Sequence, residues 1–121
     1  MRQFRDSKYW VSEVGEVSRY EPKRRHKNGK YKGYFYYKDY PEKWVPMKPS
    51  LNNNGYLTFN LPQPYGNIAL HQLITEVYLG KCPNGYEVDH IDNNKLNNHP
   101  SNLQYLTKAE NIRKGQVFKN L

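Results

Sequence analysis

The chain has 121 residues with 19 Lys plus Arg against 11 Asp plus Glu, a net charge of +8 at pH 7, so an acidic partner is expected. Apolar residues make up only 36% of it while 12 tyrosines lift the aromatic share to 15%, which limits the core to one compact domain or two small modules. No run approaches the roughly 20 apolar residues of a membrane span, the start from Met1 to Arg5 lacks a secretion signal, and one cysteine, Cys82, excludes an internal disulfide framework or a Cys-x-x-Cys zinc ribbon. A soluble, intracellular protein of the cytoplasm is expected.

In chain order, the first part reads as short strands and turns. Strands are expected at Tyr9 to Val11, at Glu16 to Tyr20 around Gly15, at Gly33 to Tyr37, at Lys43 to Lys48 and at Tyr56 to Leu61. Asn52-Asn53-Asn54-Gly55 predicts a hairpin turn joining the last two, because Asn and Gly tolerate the positive φ of tight turns. Residues 1–60 hold 13 Lys plus Arg and 6 Asp plus Glu, the remainder 6 and 5, so the positive field belongs to the first half. Its densest stretch contains Arg19, Lys23, Arg24, Arg25, Lys27, Lys30 and Lys32, opposed only by Glu21 and followed by Tyr31, Tyr34, Phe35, Tyr36, Tyr37 and Tyr40. Cations beside aromatic faces suit a nucleic acid, with phosphates neutralised by Lys and Arg and bases or sugars packed on tyrosine. The alternative is a solvated basic loop before a strand whose aromatics fill a core.

Pro62 and Pro64 break the pattern. From Ile68 to Leu79 the positions Leu70, Leu73, Ile74, Val77 and Tyr78 fall at helical spacing, with Gly80 as terminator. Tyr86 to His90 is extended, a polar Asn-rich loop runs from Ile91 to Ser101, and Asn102 to Leu106 resumes an extended pattern. Thr107-Lys108-Ala109-Glu110 is a capping box, predicting a helix from Lys108 to about Lys114 closed by Gly115. The halves divide near the prolines into a basic β-rich module over 1–62 and a second module over 63–121.

Chemistry concentrates in the second module. Asp89 is a hard oxygen ligand, His90 can take a proton from water near pH 7, and an amide oxygen from Asn111 can complete a partly hydrated metal site. These are the parts of metal-assisted phosphodiester hydrolysis. Adjacent strand residues point to opposite faces, so Asp89 and His90 share a site only if the strand ends or bends there. An EF-hand reading from Asp92 fails, because position 6 is Asn97 and position 12 is Leu103. Asp92, Asn97 and Asn98 read as loop-closing hydrogen-bond formers.

The pattern Asp89-His90-Ile91-Asp92-x-x-Lys95-x-Asn97-Asn98, Asn102-Leu103, Thr107, Glu110-Asn111 resembles the ββα-metal finger of HNH endonucleases, particularly the phage and intron-encoded homing type. Leu70-His71-Gln72-Leu73-Ile74 to Tyr78 is similar to the helix leading into that finger, so the likeness covers about residues 68 to 115. The first part is more loosely similar to the nuclease-associated module that often precedes it. The resemblance implies an α+β fold, with an antiparallel β-rich N-terminal half followed by a helix and a C-terminal ββα-metal finger. It implies Asp89 and Asn111 as ligands of one divalent metal, His90 as general base, and Asn102 as the residue that braces the loop and helps orient His90. A helix Asn where the eponymous pattern has His implies Mg²⁺, with Mn²⁺ substituting, over Zn²⁺.

The expected activity is therefore DNA cleavage with 5′-phosphate and 3′-hydroxyl products, a nick per monomer unless a homodimer or partner protein supplies the second cut. His71 and Arg113 join the basic stretch as expected DNA contacts. The chain end at Leu121 leaves no room for the C-terminal helix-turn-helix of many homing relatives, so specificity is expected from the first half, from a partner, or to be low. The rival readings are a non-catalytic nucleic-acid-binding module and a basic protein that binds an acidic protein surface.

Overall fold

The structure is a computed structural model that describes residues 1–119. Its elements are β1 (Arg2–Gln3), β2 (Tyr9–Val11), β3 (Val17–Glu21), β4 (Arg24–Tyr31), β5 (Tyr34–Tyr40), β6 (Lys43–Met47), β7 (Ser50–Leu51), β8 (Leu57–Leu61), β9 (Gly66–Ala69), α1 (Leu70–Ile74), β10 (Tyr86–His90), β11 (Leu103–Thr107) and α2 (Lys108–Lys119). All strand pairs are antiparallel, in sheets ordered β1-β2-β3-β6, β4-β5, β7-β8-β9 and β10-β11. No helix of the described residues is long and apolar enough to cross a membrane.

One core joins both halves of the chain. Phe4 from the connection after β1, Tyr9, Val11 and Val17 from the first sheet, Phe59 and Leu61 from β8, Leu70, Leu73 and Ile74 from α1, and Leu103 of β11 form a buried cluster. Strand alternation delivers them: on β8, Phe59 and Leu61 are buried and Asn60 between them is exposed. The turn into β3 holds Gly15 at φ +85°, where a Cβ would lie 3.2 Å from Leu70, so both the backbone and the close approach of α1 require glycine. α1 begins at Leu70, two residues later than the apolar spacing predicts, because Gly66–Ala69 is a strand. It then loosens into a π-helical turn over Thr75–Leu79 that ends at Gly80 with φ +95°.

Three local expectations are corrected. The Asn52–Gly55 turn forms, with the Asn52 side chain accepting from the Asn54 and Tyr56 N–H groups at 3.0 Å, but it joins β8 to the short β7. The strand over Lys43–Met47 pairs instead with β3, where Trp44 packs on Trp10 and Tyr20. The capping box is present, with Glu110 N–H on Thr107 Oγ1 at 3.2 Å and Thr107 N–H on the Glu110 carboxylate at 3.3 Å. The helix it starts runs through Gly115 to Lys119. An isolated glycine costs a helix only about 1 kcal/mol, too little to stop it unless the backbone turns to positive φ.

The basic stretch is not a loop. Arg24–Tyr31 pairs with Tyr34–Tyr40 as a two-stranded ribbon closed by Lys32 at φ +48° and Gly33 at φ +84°, the type I′ geometry that matches strand twist. Eight residues at a strand's rise make it roughly 26 Å long. Nor do its aromatics fill a core, since Tyr31, Tyr34, Phe35, Tyr36 and Tyr37 are 49–79% exposed.

Candidate active site

The β10–β11 pair builds the site. Its register sets Asp89 opposite Gln104 and His90 opposite Leu103, and His90 is the last residue of its strand. The two side chains leave toward different elements. Asp89 turns to α2, its Oδ2 accepting from Gln104 Nε2 at 2.9 Å and from Lys114 Nζ at 2.6 Å. His90 turns to α1 and the Asn52–Tyr56 turn, its ring 5.3 Å from that of His71 and stacked 6.1 Å from Tyr56. Both residues are buried, at 7% and 6% exposure, yet both line one cleft of about 190 Å³ with Tyr56, Asn93, Lys95 and Asn111. The strand end reconciles opposite-facing side chains with a shared site.

The Asn-rich loop holds the imidazole. His90 Nε2 lies 2.7 Å from Asn98 Oδ1, an oxygen that only accepts, so Nε2 is the donor of this pair and Nδ1 is the ring's remaining nitrogen. Asn102 acts elsewhere: its amide nitrogen donates to Asp92 Oδ1 at 2.9 Å and to the Asn97 carbonyl at 2.8 Å, and its oxygen accepts from the Asp92 N–H at 3.1 Å. Asn102 thus braces the loop, and the direct partner of His90 is Asn98. The Asn97 amide, the Asn94 N–H and the Asn102 amide hold the Asp92 carboxyl below its ordinary range.

Asn111 lies on the first turns of α2 and donates from Nδ2 to Glu87 of β10, leaving Oδ1 as the atom able to serve a cation. Among the described residues no group of three or more His, Cys, Asp or Glu is placed to hold a metal ion. The oxygen donors lining the cleft are the Asp89 carboxylate and the side-chain amides of Asn93 and Asn111. That set is hard and small, and fits a cation that keeps several waters and takes its remaining oxygens from a phosphate, as Mg²⁺ does. It does not fit a structural zinc site.

His71 belongs to the site and not to the basic surface. Its ring lies 4.9 Å from Tyr56 as well as against His90. Burial, and to a lesser degree His90, push its pKa down to about 4. A histidine with a depressed folded pKa stabilises fully above its unfolded value near 6.5 and loses that contribution as pH falls toward 4. Urea unfolding at pH 7 and pH 4.5 should therefore show the wild type losing about 2 kcal/mol more than His71→Gln over this window. Equal losses would contradict a neutral, packed His71.

The remaining basic residues divide into three groups. Arg24, Arg25, Lys27 and Lys30 lie on β4 and Lys32 at its turn, with Lys23 just before it. Arg19 lies apart on β3, paired with Glu21 at 2.9 Å, and Arg113 is exposed on α2. On the ribbon the cations rest on rings: Lys27 Nζ is 3.6 Å from the centroid of Phe35, and Arg24 is 4.5 Å from Tyr40. Arg25 is fixed by Asp39 across the ribbon at 2.8 Å.

Sequence reasoning missed Glu87, Gln104, Tyr56 and the role of Lys114. Glu87 was reachable, since it stands two residues from Asp89 and must share its strand face. Lys114 stands three from Asn111 on one helical face. Tyr56 reaches the site only through tertiary packing.

Residues 69–113, which hold α1, β10, β11 and the start of α2, match the family model of the HNH endonucleases. A SPbeta prophage-derived protein of Bacillus subtilis named as an HNH homing endonuclease, YosQ, is 36% identical over 69 residues, covering 54% of this chain and 40% of its own length. Two proteins of Acanthamoeba polyphaga mimivirus named as HNH endonucleases are 38% and 43% identical over 69 and 63 residues, covering 21% and 32% of their lengths. The chain spans well under half the length of these curated relatives. Through this segment the chain is similar to the HNH endonuclease family. Its fold is similar to that of part of the HNH homing endonuclease I-HmuI, with a TM-score of 0.67 at 22% identity over 98% of this chain and 56% of the other.

Proposed function

We propose that the protein is a divalent-metal-dependent DNA endonuclease in which residues 63–121 cut and the basic residues of 1–62 bind the phosphate backbone. The observation that carries this reading is the shared cleft of Asp89, His90 and Asn111, with the imidazole held through Nε2 so that Nδ1 is the nitrogen left to accept a proton. Asp89 and Asn111 Oδ1 are the ligands in this reading, and Mg²⁺ is the metal their hardness favours, with Mn²⁺ as substitute. When bound, the metal neutralises charge developing on the phosphate and on the departing 3′ oxygen. His90 Nδ1 takes the proton of the attacking water. Asn98 keeps the ring in the tautomer that exposes Nδ1, and Asn102 fixes the loop that carries Asn98. His71 and Tyr56 cover the ring and limit its motion.

Attack by water on phosphorus with loss of the 3′ oxygen leaves a 5′-phosphate and a 3′-hydroxyl. Nicked plasmid produced by the protein should accordingly be resealed by DNA ligase without prior end repair. Nicks that ligase cannot seal would overturn the assigned leaving group. With one such cleft among the described residues, a nick is the expected product, and two copies or a partner are needed to break both strands.

The ribbon supplies the binding surface. Its cations stand on exposed rings over a length of several base pairs, at a width the major groove admits. Each phosphate neutralised contributes about 0.9 to the slope of log affinity against log salt. The double variant Lys27→Ala, Lys30→Ala should lower that slope by about 1.8, measured by fluorescence anisotropy on duplex DNA at several salt concentrations. An unchanged slope would move the binding surface off the ribbon.

A further inference from the structure

Glu87 and Asp89 stand two apart on β10 and share a face, while Asn111 and Lys114 stand three apart on α2 and face them. The pairs close rung on rung: Asn111 on Glu87, and Lys114 Nζ on Asp89 Oδ2 at 2.6 Å. The same ammonium donates to the His90 carbonyl at 2.7 Å. Its pairing with Asp89 is not a solvated surface contact, since the two side chains are 18% and 8% exposed. A carboxylate so buried needs a positive charge beside it, because removing the partner of a buried pair leaves its charge uncompensated. Lys114 supplies one unit of that charge, at the residue that the proposed function makes a ligand of a divalent cation.

We propose that Lys114 is a built-in counter-ion of the metal site, an ammonium that competes with the divalent cation for Asp89 and so sets how tightly the metal binds. The proposal rests on the metal-site reading given above. Asp89 Oδ2 already accepts from both Lys114 and Gln104, so a divalent ion that neutralises this carboxylate makes the ammonium a like-charge neighbour. Part of the metal's binding free energy is then spent on moving Lys114. Removing the ammonium has two linked effects: the fold loses the partner of a buried carboxylate, and the metal loses its competitor. The strand and helix spacing makes the arrangement specific, because no other Lys or Arg of the described residues is shown paired with Asp89.

The test is calorimetric titration of Mn²⁺ into the full chain without DNA, comparing wild type, Lys114→Met and Lys114→Arg, with melting curves at zero and saturating Mn²⁺. Lys114→Met should bind Mn²⁺ about tenfold more tightly than wild type, a change of the size that residues just outside a metal's ligand set produce. Without metal it should melt below wild type, and Mn²⁺ should raise its melting temperature more than that of wild type. Lys114→Arg keeps the charge and should stay within about threefold of wild-type affinity. Should the methionine variant fail to fold, Lys114→Gln carries the same comparison. Equal or weaker Mn²⁺ binding by the uncharged variant, with wild type binding normally, overturns the counter-ion role while leaving the metal site standing. A wild type that takes up no Mn²⁺ at all overturns the metal-site reading, and this inference with it.

Discussion

The His90→Ala variant is expected to cleave DNA about 10³-fold more slowly than wild type at saturating metal, the range over which a positioned general base acts. The magnitude follows from geometry. The imidazole is buried, pinned by Asn98 through Nε2, and packed by His71 and Tyr56, so the ring is held in one orientation at the cleft it lines. An alanine leaves the attacking water with bulk solvent as its only base. DNA affinity should hold within about twofold, because His90 lies off the ribbon whose cations are proposed to meet phosphate. Free imidazole should restore part of the lost rate by entering the space the side chain vacates. Binding that collapses along with cleavage would instead mark His90 as a folding or contact residue.

Asp89→Asn carries the second large effect. Asparagine keeps the shape and can still accept from Gln104 and Lys114, so the fold should survive with a loss of about 1–2 kcal/mol. Metal binding should not survive as well, since the carboxylate of the proposed ligand pair becomes a neutral amide. Cleavage should fall by more than about 100-fold and recover little on raising Mn²⁺. The pairing of a near-intact melting curve with lost metal uptake separates this outcome from misfolding. Wild-type cleavage by this variant would remove Asp89 from the ligand set.

Which parts were legible in the chain follows from how local their causes are. The strand, long loop, strand and helix from Tyr86 onward could be read because a capping box, Asn-rich turns and an abrupt change of polarity are written into neighbouring residues. Asp89, His90 and Asn111 were legible by residue chemistry and by the resemblance their spacing carries, and the structure does bring them to one cleft. The β4 strand was not, because an isolated ribbon is solvated on both faces and shows no alternation of polar and apolar residues. Gly29 within it looks like a breaker, yet the ring of Tyr36 lies where a Cβ would stand, so the strand continues past it. The pairing of His90 with Asn98 in place of Asn102 depends on how an eleven-residue loop folds back, which no local rule reports. Glu87 and Lys114 required knowing that α2 packs on β10.

The most direct measurement is incubation of purified protein with supercoiled plasmid in Mg²⁺, in Mn²⁺ and in EDTA, resolving nicked from linear forms. Conversion to the nicked circle in either metal and none in EDTA is the predicted result. Plasmid that is bound yet left supercoiled in both metals, across protein concentrations that saturate it, would contradict catalysis and leave a nucleic-acid-binding module.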